Sequence, residues 1–97
     1  MITRMFRAKV PTNIHKEFEE QFIAVSIPYV QSKQGFVSVV VGRPTQWQPD
    51  EFVMISVWDS EDGLIAFAGK DWNKAVIPKV MEKYVSGCWV HHYEIFG

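Results

Sequence analysis

The chain has 97 residues, a formal net charge of -1 and a hydrophobic fraction of 47%. The length fits a single domain, residues 1–97, and the composition is that of a folded globule with a modest core. The near-neutral charge argues against a nucleic-acid-binding protein, because such proteins present strongly basic surfaces.

The cysteine content and the hydropathy pattern bear on location. The single cysteine, Cys88, excludes an internal disulfide and fits a reducing compartment. No apolar stretch approaches the length of a membrane span, and arginines interrupt the N-terminal segment where a signal peptide needs an apolar run. We therefore expect a cytoplasmic protein with no membrane association.

The first third of the chain changes from a strand pattern to a helix pattern. Residues 2–10 alternate between an apolar side and a more polar side, which predicts a strand. From 14 to 29 the apolar residues recur every three or four positions, which predicts an amphipathic helix. Thr12 or Asn13 is the expected N-cap, and Pro28 is expected to bend or end the helix.

The remaining elements are three strands and a second helical region. Strands are predicted at 36–41, 51–58 and 89–96, the first two separated by a loop with two prolines. Both sides of the 51–58 strand are apolar, so one side must pack on the helices and the other needs a second cover. The second helical region is expected to break at Gly69 and to restart as an amphipathic helix over 71–84.

The order β-α-β-β-α-β predicts an α+β, ferredoxin-like fold in which both helices cover one face of a four-stranded antiparallel sheet. The other face would expose apolar side chains, with Met54 and Trp58 expected among them. Such exposure favours aggregation unless a partner covers it. We therefore expect a homodimer in which two sheets pack face to face as a dimeric α+β barrel.

The last strand contains Cys88, His91, His92 and Glu94 in close succession. Adjacent strand residues point to opposite faces, so the two histidines cannot chelate one ion together. Cys88, His92 and Glu94 share a face, but Cys88 lies roughly 13 Å along the strand from His92. The remaining two ligands do not complete a site, and we predict no metal and no other cofactor.

Four short motifs are typical of one protein family. They are Gly35-Phe36, the VWDSE run at 57–61, Ala66-Phe67 and the VHHYEI run at 90–95. Through these motifs the chain resembles, over essentially its whole length, the antibiotic biosynthesis monooxygenase family of dimeric α+β barrels. The family includes cofactor-independent oxygenases that turn aromatic polyketides into quinones, haem-degrading enzymes and isomerases, so the resemblance specifies the fold better than the activity.

Two branches of that family differ from this chain at key positions. Quinone-forming members share Trp58, but they have an asparagine at the place of Met54 and a tyrosine at the place of Leu64. The haem-degrading branch has an asparagine on strand one and an iron-ligating histidine in the second helical region. Here strand one has no asparagine and 71–84 has no histidine. The resemblance therefore disfavours haem degradation.

The candidate site consists of Met54, Trp58, His91 and Tyr93, which we expect to line the barrel cavity. An oxygenase without metal or flavin must form a substrate carbanion, and a histidine in an apolar cavity, His91, is the candidate base. Trp58 would donate its indole N–H to a substrate oxygen. Met54 and Tyr93 would contact a small aromatic or quinone-like substrate.

Plainer interpretations remain open for each of these residues. Trp58 and Tyr93 can be core aromatics, and His91 can be a strand histidine bonded to the backbone or exposed at the sheet edge. The alternative function is a non-catalytic dimeric module that binds a small hydrophobic ligand. Met54 and Leu64, which replace the polar residues of quinone-forming relatives, favour that alternative.

Overall fold

The computed structural model describes residues 1–97 and contains one four-stranded sheet. Its strands are β1 (Ile2–Lys9), β2 (Phe36–Gly42), β3 (Glu51–Trp58) and β4 (Gly87–Glu94). They lie in the order β2-β3-β1-β4, and every neighbouring pair is antiparallel. The ferredoxin-like α+β fold is therefore confirmed, with strand positions close to those predicted.

The first helical region is one continuous rod of three segments: α1 (His15–Gln21), a π-helical turn (Phe22–Ser26) and α2 (Ile27–Gln31). Pro28 has no N–H to donate, and the wider π turn just before it lets the chain stay helical up to Gln31. The predicted caps are wrong, because a short 3-10 turn (Thr12–Ile14) leads into α1 without any side-chain cap bond.

The second helical region is shorter than predicted. Helix α3 (Glu61–Ala68) ends at Gly69, whose φ of 87° is incompatible with a continuing helix. The predicted helix over 71–84 is wrong: residues 70–78 form turns and irregular backbone, and only Lys79–Tyr84 forms a 3-10 helix. Pro78 is one cause, since a proline disfavours helical geometry in the residue before it.

The core lies between the helices and one face of the sheet. Every second residue of β3 is buried there, from Phe52 to Trp58, and packs with helical residues such as Phe18 and Leu64. Met54 and Trp58 therefore face the helices, and the expectation that they lie on the open face is wrong. The period of two along β3 is as predicted, but the open side belongs to Val53, Ile55 and Val57.

The opposite face of the sheet, called the open face below, has no cover within this chain. One row across it runs through Val40, Ile55, Met5 and His91, which the strand pairing places side by side. Val40 is 61% exposed. The predicted one-sided packing of the helices is confirmed, whereas the homodimer stays a prediction. None of the helices combines the length and the apolar composition that crossing a bilayer requires.

Candidate functional site

A cleft lies between the helical layer and the sheet. Its lining is mostly apolar and comes from β1, β3, the helical rod, α3 and the segment that leads into the last strand. The space between its walls, including the open mouth, is about 530 Å³, but the volume open to the centre of a water molecule is only about 30 Å³. A ring-sized ligand therefore fits only after the walls move apart.

Arg4 of β1 is the one charged side chain in the lining of this cleft, and it is only 4% exposed. Its Nη1 donates to the carbonyl oxygen of Trp72 at 2.7 Å and contacts Nε2 of His92 at 2.8 Å. Its Nη2 donates to the carbonyl oxygen of Lys74 at 2.8 Å. These bonds tie the irregular segment 70–78 to the sheet.

No carboxylate pairs with Arg4. Its Cζ lies 5.3 Å from the centroid of the Phe67 ring, a cation–π distance. Burial lowers the pKa of Arg4 to about 10, so the guanidinium is still charged at neutral pH. The cleft therefore contains a buried cation whose only partners are neutral.

His92 of β4 is the neutral partner of Arg4. A guanidinium only donates, so Nε2 of His92 must accept, and the ring proton is on Nδ1. Burial, and then the charges of Arg4 and His91, lower the pKa of His92 to about 4. The edge-to-face contact with Trp72, at 4.5 Å between ring centroids, fixes the ring further.

Two of the four predicted site residues lie at or beside the cleft. Met54 is part of its lining. Trp58 is completely buried behind it, where its indole N–H donates to Oγ of Ser56 at 3.0 Å and its ring stacks on Phe67 at 5.0 Å. The indole therefore orients two lining residues, and its N–H already has an acceptor.

The other two predicted residues lie on the open face. The pairing of β4 with β1 sets His91 opposite Met5 and Tyr93 opposite Thr3, all directed away from the helices. Tyr93 is 53% exposed. The expectation that Met54, Trp58, His91 and Tyr93 line one cavity is therefore wrong for this chain, and their individual roles stay predictions.

Sequence reasoning missed Arg4 and did not consider His92 as its partner. An arginine between Ile2 and Phe6, on the buried side of an alternating strand, was the available signal. Its acceptors at Trp72 and Lys74 could not be anticipated, because that segment was predicted to be helical and to use its own carbonyls. His92 does lie on the helix side of β4, as strand alternation requires, but no three His, Cys, Asp or Glu side chains come together there or elsewhere in a way that could hold a metal ion.

The sheet order, the helices on one face and the apolar cleft between them define the class: a ferredoxin-like α+β protein with a narrow apolar cleft between sheet and helices. The model of the antibiotic biosynthesis monooxygenase family matches residues 1–77. This chain belongs to that family. No curated protein sequence matches it significantly.

Three solved structures illustrate the range of the fold. SnoaB, a cofactor-independent oxygenase from Streptomyces nogalater, is 17% identical with a TM-score of 0.73, over 97% of this chain and 91% of that one. The monooxygenase ActVA-Orf6 from Streptomyces coelicolor, in complex with nanaomycin D, is 15% identical with a TM-score of 0.74, over 99% and 88%. The haem degrader MhuD from Mycobacterium tuberculosis, with two haems bound, is 17% identical with a TM-score of 0.73, over 98% and 95%. At these identities the similarity establishes the shared fold.

Proposed function

We propose that this protein is a cofactor-independent monooxygenase that oxidises a small aromatic or quinone-like molecule in the cleft between sheet and helices. The supporting observation is the cleft, whose apolar lining contains a few polar groups, among them Arg4, Ser26 and Ser56. Such a lining suits a flat aromatic ligand with one or two oxygen substituents. Family membership supports the type of reaction.

The reaction requires no cofactor because the substrate supplies the electrons. In an anthrone, for example, the ring CH₂ group loses a proton, and the resulting carbanion bonds to one atom of O₂. The hydroperoxide that forms then loses water, so that CH₂ becomes C=O. One oxygen atom enters the product and the other leaves as water. A cleft with little water favours this sequence, because it protects the carbanion from reprotonation.

The predicted site residues take different parts in this proposal. Met54 contacts the substrate as part of the lining, and Trp58 acts indirectly by orienting Ser56 and Phe67. His91 and Tyr93 reach a substrate only if it binds between the two sheets of a homodimer. A base role for His91 therefore belongs to a second candidate location, the open face, which the experiment below compares with the cleft.

The homodimer through the open face is part of the proposal. The apolar row from Val40 to Met5 supports it, since a second copy of the same face would bury the row and complete a barrel. We also propose a cytoplasmic location, in keeping with the single free cysteine, Cys88. Nucleic acid and membranes are not proposed as partners.

Oxygen consumption with anthrone tests the proposal and locates the reaction. Val76 lines the cleft from the irregular segment, and Val76→Trp should block the cleft. We expect Val76→Trp to reduce the rate at least about tenfold, and His91→Ala on the open face to leave it nearly unchanged. The opposite pattern would move the reaction to the open face.

The second candidate function is a non-catalytic module that binds a small hydrophobic ligand. Met54 in the cleft lining and the fully buried Leu64 favour it, because neither offers the polar group present in quinone-forming relatives. Tight binding of anthrone without oxygen consumption above the buffer rate would select this function over the oxygenase.

Haem degradation is a third activity within the fold, and we propose that this protein lacks it. Segment 71–84, where haem-degrading relatives have an iron-ligating histidine, contains none. Titration with one equivalent of haem should give no specific Soret shift. A sharp, stoichiometric shift would contradict this part of the proposal.

A further inference from the structure

We propose that the cleft selects aromatic ligands with a negatively charged oxygen, a phenolate, an enolate or a carboxylate, and that Arg4 binds that oxygen. The inference rests on the proposed function in one respect: the same cleft is the substrate site.

The hydrogen bonds of Arg4 leave part of its guanidinium free. A guanidinium has five N–H groups. The two N–H groups of Nη1 donate to the carbonyl oxygen of Trp72 and to Nε2 of His92. One N–H group of Nη2 donates to the carbonyl oxygen of Lys74. The N–H of Nε and one N–H of Nη2 have no acceptor in the chain. No fully buried side-chain nitrogen or oxygen lacks a hydrogen-bond partner, so Nε, which has no acceptor, is not fully buried. Arg4 itself is part of the cleft lining.

The charge of Arg4 is also uncompensated. A buried cation without an anion is costly, because its hydration is lost and nothing of opposite charge replaces it. Its nearest titratable neighbour, His92, is uncharged, and the face of Phe67 offers only a weak attraction. An anionic ligand oxygen would supply both the missing charge and the missing acceptor.

This arrangement would activate a substrate as well as bind it. A cation close to a phenol or enol stabilises the ionised form and lowers the pKa of the bound group. The proton can then leave through the open mouth of the cleft to the solvent, and the enolate that remains is the carbanion that reacts with O₂. Arg4 would in this way let a weak base such as water accept the proton, so that no side chain of the cleft has to act as a general base.

Arg4 has a structural role too, and the experiment must separate the two. The carbonyl bonds to Trp72 and Lys74 hold one wall of the cleft, so removing Arg4 should weaken every ligand to some extent. A loss confined to anionic ligands is therefore the diagnostic result.

Calorimetric titration of the wild-type protein with a matched ligand pair gives the first test. 2-Naphthoate is charged at pH 7, and 2-naphthamide has nearly the same shape without the charge. We expect naphthoate to bind at least about tenfold more tightly. A second arm uses 2-naphthol, whose absorbance reports ionisation; bound naphthol should ionise at least about one pH unit lower than free naphthol. The two arms distinguish a carboxylate ligand from a phenolate, and equal affinities together with unshifted ionisation would overturn the proposal.

Three variants give the second test. Arg4→Met should abolish the preference for naphthoate over the amide, and Arg4→Lys should preserve most of it because the charge remains. Arg7→Met, on the same strand but on the open face, is the matched control and should leave the preference unchanged. If Arg4→Met weakens both ligands by the same factor, Arg4 is only a structural residue and the proposal fails.

These measurements are independent of catalysis. Wild-type protein suffices for the ligand comparison, so a misfolded Arg4→Met variant leaves the proposal testable. An anion preference without oxygen consumption contradicts the oxygenase and supports the anion site. Oxygen consumption without an anion preference supports the oxygenase and contradicts the anion site.

Discussion

Arg4 and His92 form a pair in which one member stays charged and the other stays neutral. Burial disfavours the charged form of both side chains. The ordinary pKa of an arginine is so high that lowering it to about 10 still leaves Arg4 protonated at neutral pH. The pKa of His92 is lowered from the ordinary histidine value of 6.5 to about 4. The same environment therefore keeps Arg4 charged and His92 neutral, so His92 does not add a second positive charge beside the guanidinium.

The low pKa of His92 predicts a loss of stability in acid. Between pH 6.5 and about 4 the unfolded chain protonates this histidine and the folded chain does not. The unfolded state thus binds more protons, and the free energy of unfolding decreases as the pH falls through this window. Below about pH 4 both states are protonated and this contribution levels off.

Urea unfolding between pH 7 and pH 4 measures this effect. The His92→Gln variant retains an acceptor for Arg4 but does not titrate, so its midpoint should fall less steeply than that of the wild type. His91→Gln removes only the smallest of the causes that lower the pKa of His92, so its curve should lie closer to that of the wild type than the curve of His92→Gln does. Parallel curves for the wild type and His92→Gln would refute the assignment of the acid sensitivity to His92.

At the scale of the elements, two glycines lie at the boundaries of helices and strands and are needed there for different reasons. Gly35 precedes β2 with a φ of +88°, and a Cβ there would lie 2.9 Å from the Cα of Gly63 in α3. Gly69 ends α3 with a φ of +87° and open space around it. Gly35 is therefore needed for its backbone angle and for a close approach between two elements, whereas Gly69 is needed for its angle alone.

Replacing each glycine by alanine separates these two contributions. Gly69→Ala should cost about 1–3 kcal/mol of unfolding free energy through backbone strain. Gly35→Ala should cost more, since β2 and α3 must also move apart. Equilibrium unfolding of both variants checks the order. If both variants lose the same unfolding free energy, the close approach of Gly35 to Gly63 does not contribute to stability, and this explanation of Gly35 is wrong.

The strands were predictable because their signal is local. The alternation along β3 depends only on neighbouring residues, and the pairing partners of a βαββαβ fold follow from chain order. The segment 70–78 was not predictable, because its conformation depends on bonds to Arg4, far away in the sequence. The same long-range bonds form the site, which is why sequence reasoning did not identify Arg4.

At the scale of the whole molecule, the sheet has two chemically different faces. One packs on the helices and contains the cleft. The other is uncovered in this chain and contains the apolar row of Val40, Ile55 and Met5 together with polar residues such as Arg7. Sequence alternation predicted two faces but could not tell which residues of β3 belong to which, because both sets are apolar. For this reason the sequence pattern predicted His91 and Trp58 in the same cavity, although they lie on opposite faces of the sheet.

The open face predicts self-association. Light scattering should give a solution mass of twice the chain mass of 11.2 kDa. Val40→Asp places a charge on the open face and should yield a monomer, because an unpaired carboxylate is costly in an apolar interface. Val80→Asp is the matched control: Val80 is 60% exposed, close to the 61% of Val40, but lies in the 3-10 helix. A monomeric wild type, or a dimer unaffected by Val40→Asp, would contradict this interface.

The central claim is that ligands bind in the cleft and not on the open face, and the methionines report on both. Met54 and Met81 line the cleft, whereas Met5 lies on the open face. Methyl-labelled methionine can be followed by NMR while 2-naphthoate is added to the wild-type protein. We predict that the Met54 and Met81 methyl resonances shift in a saturable way and that Met5 does not move. A saturable shift of Met5 alone would place the ligand on the open face and contradict the account.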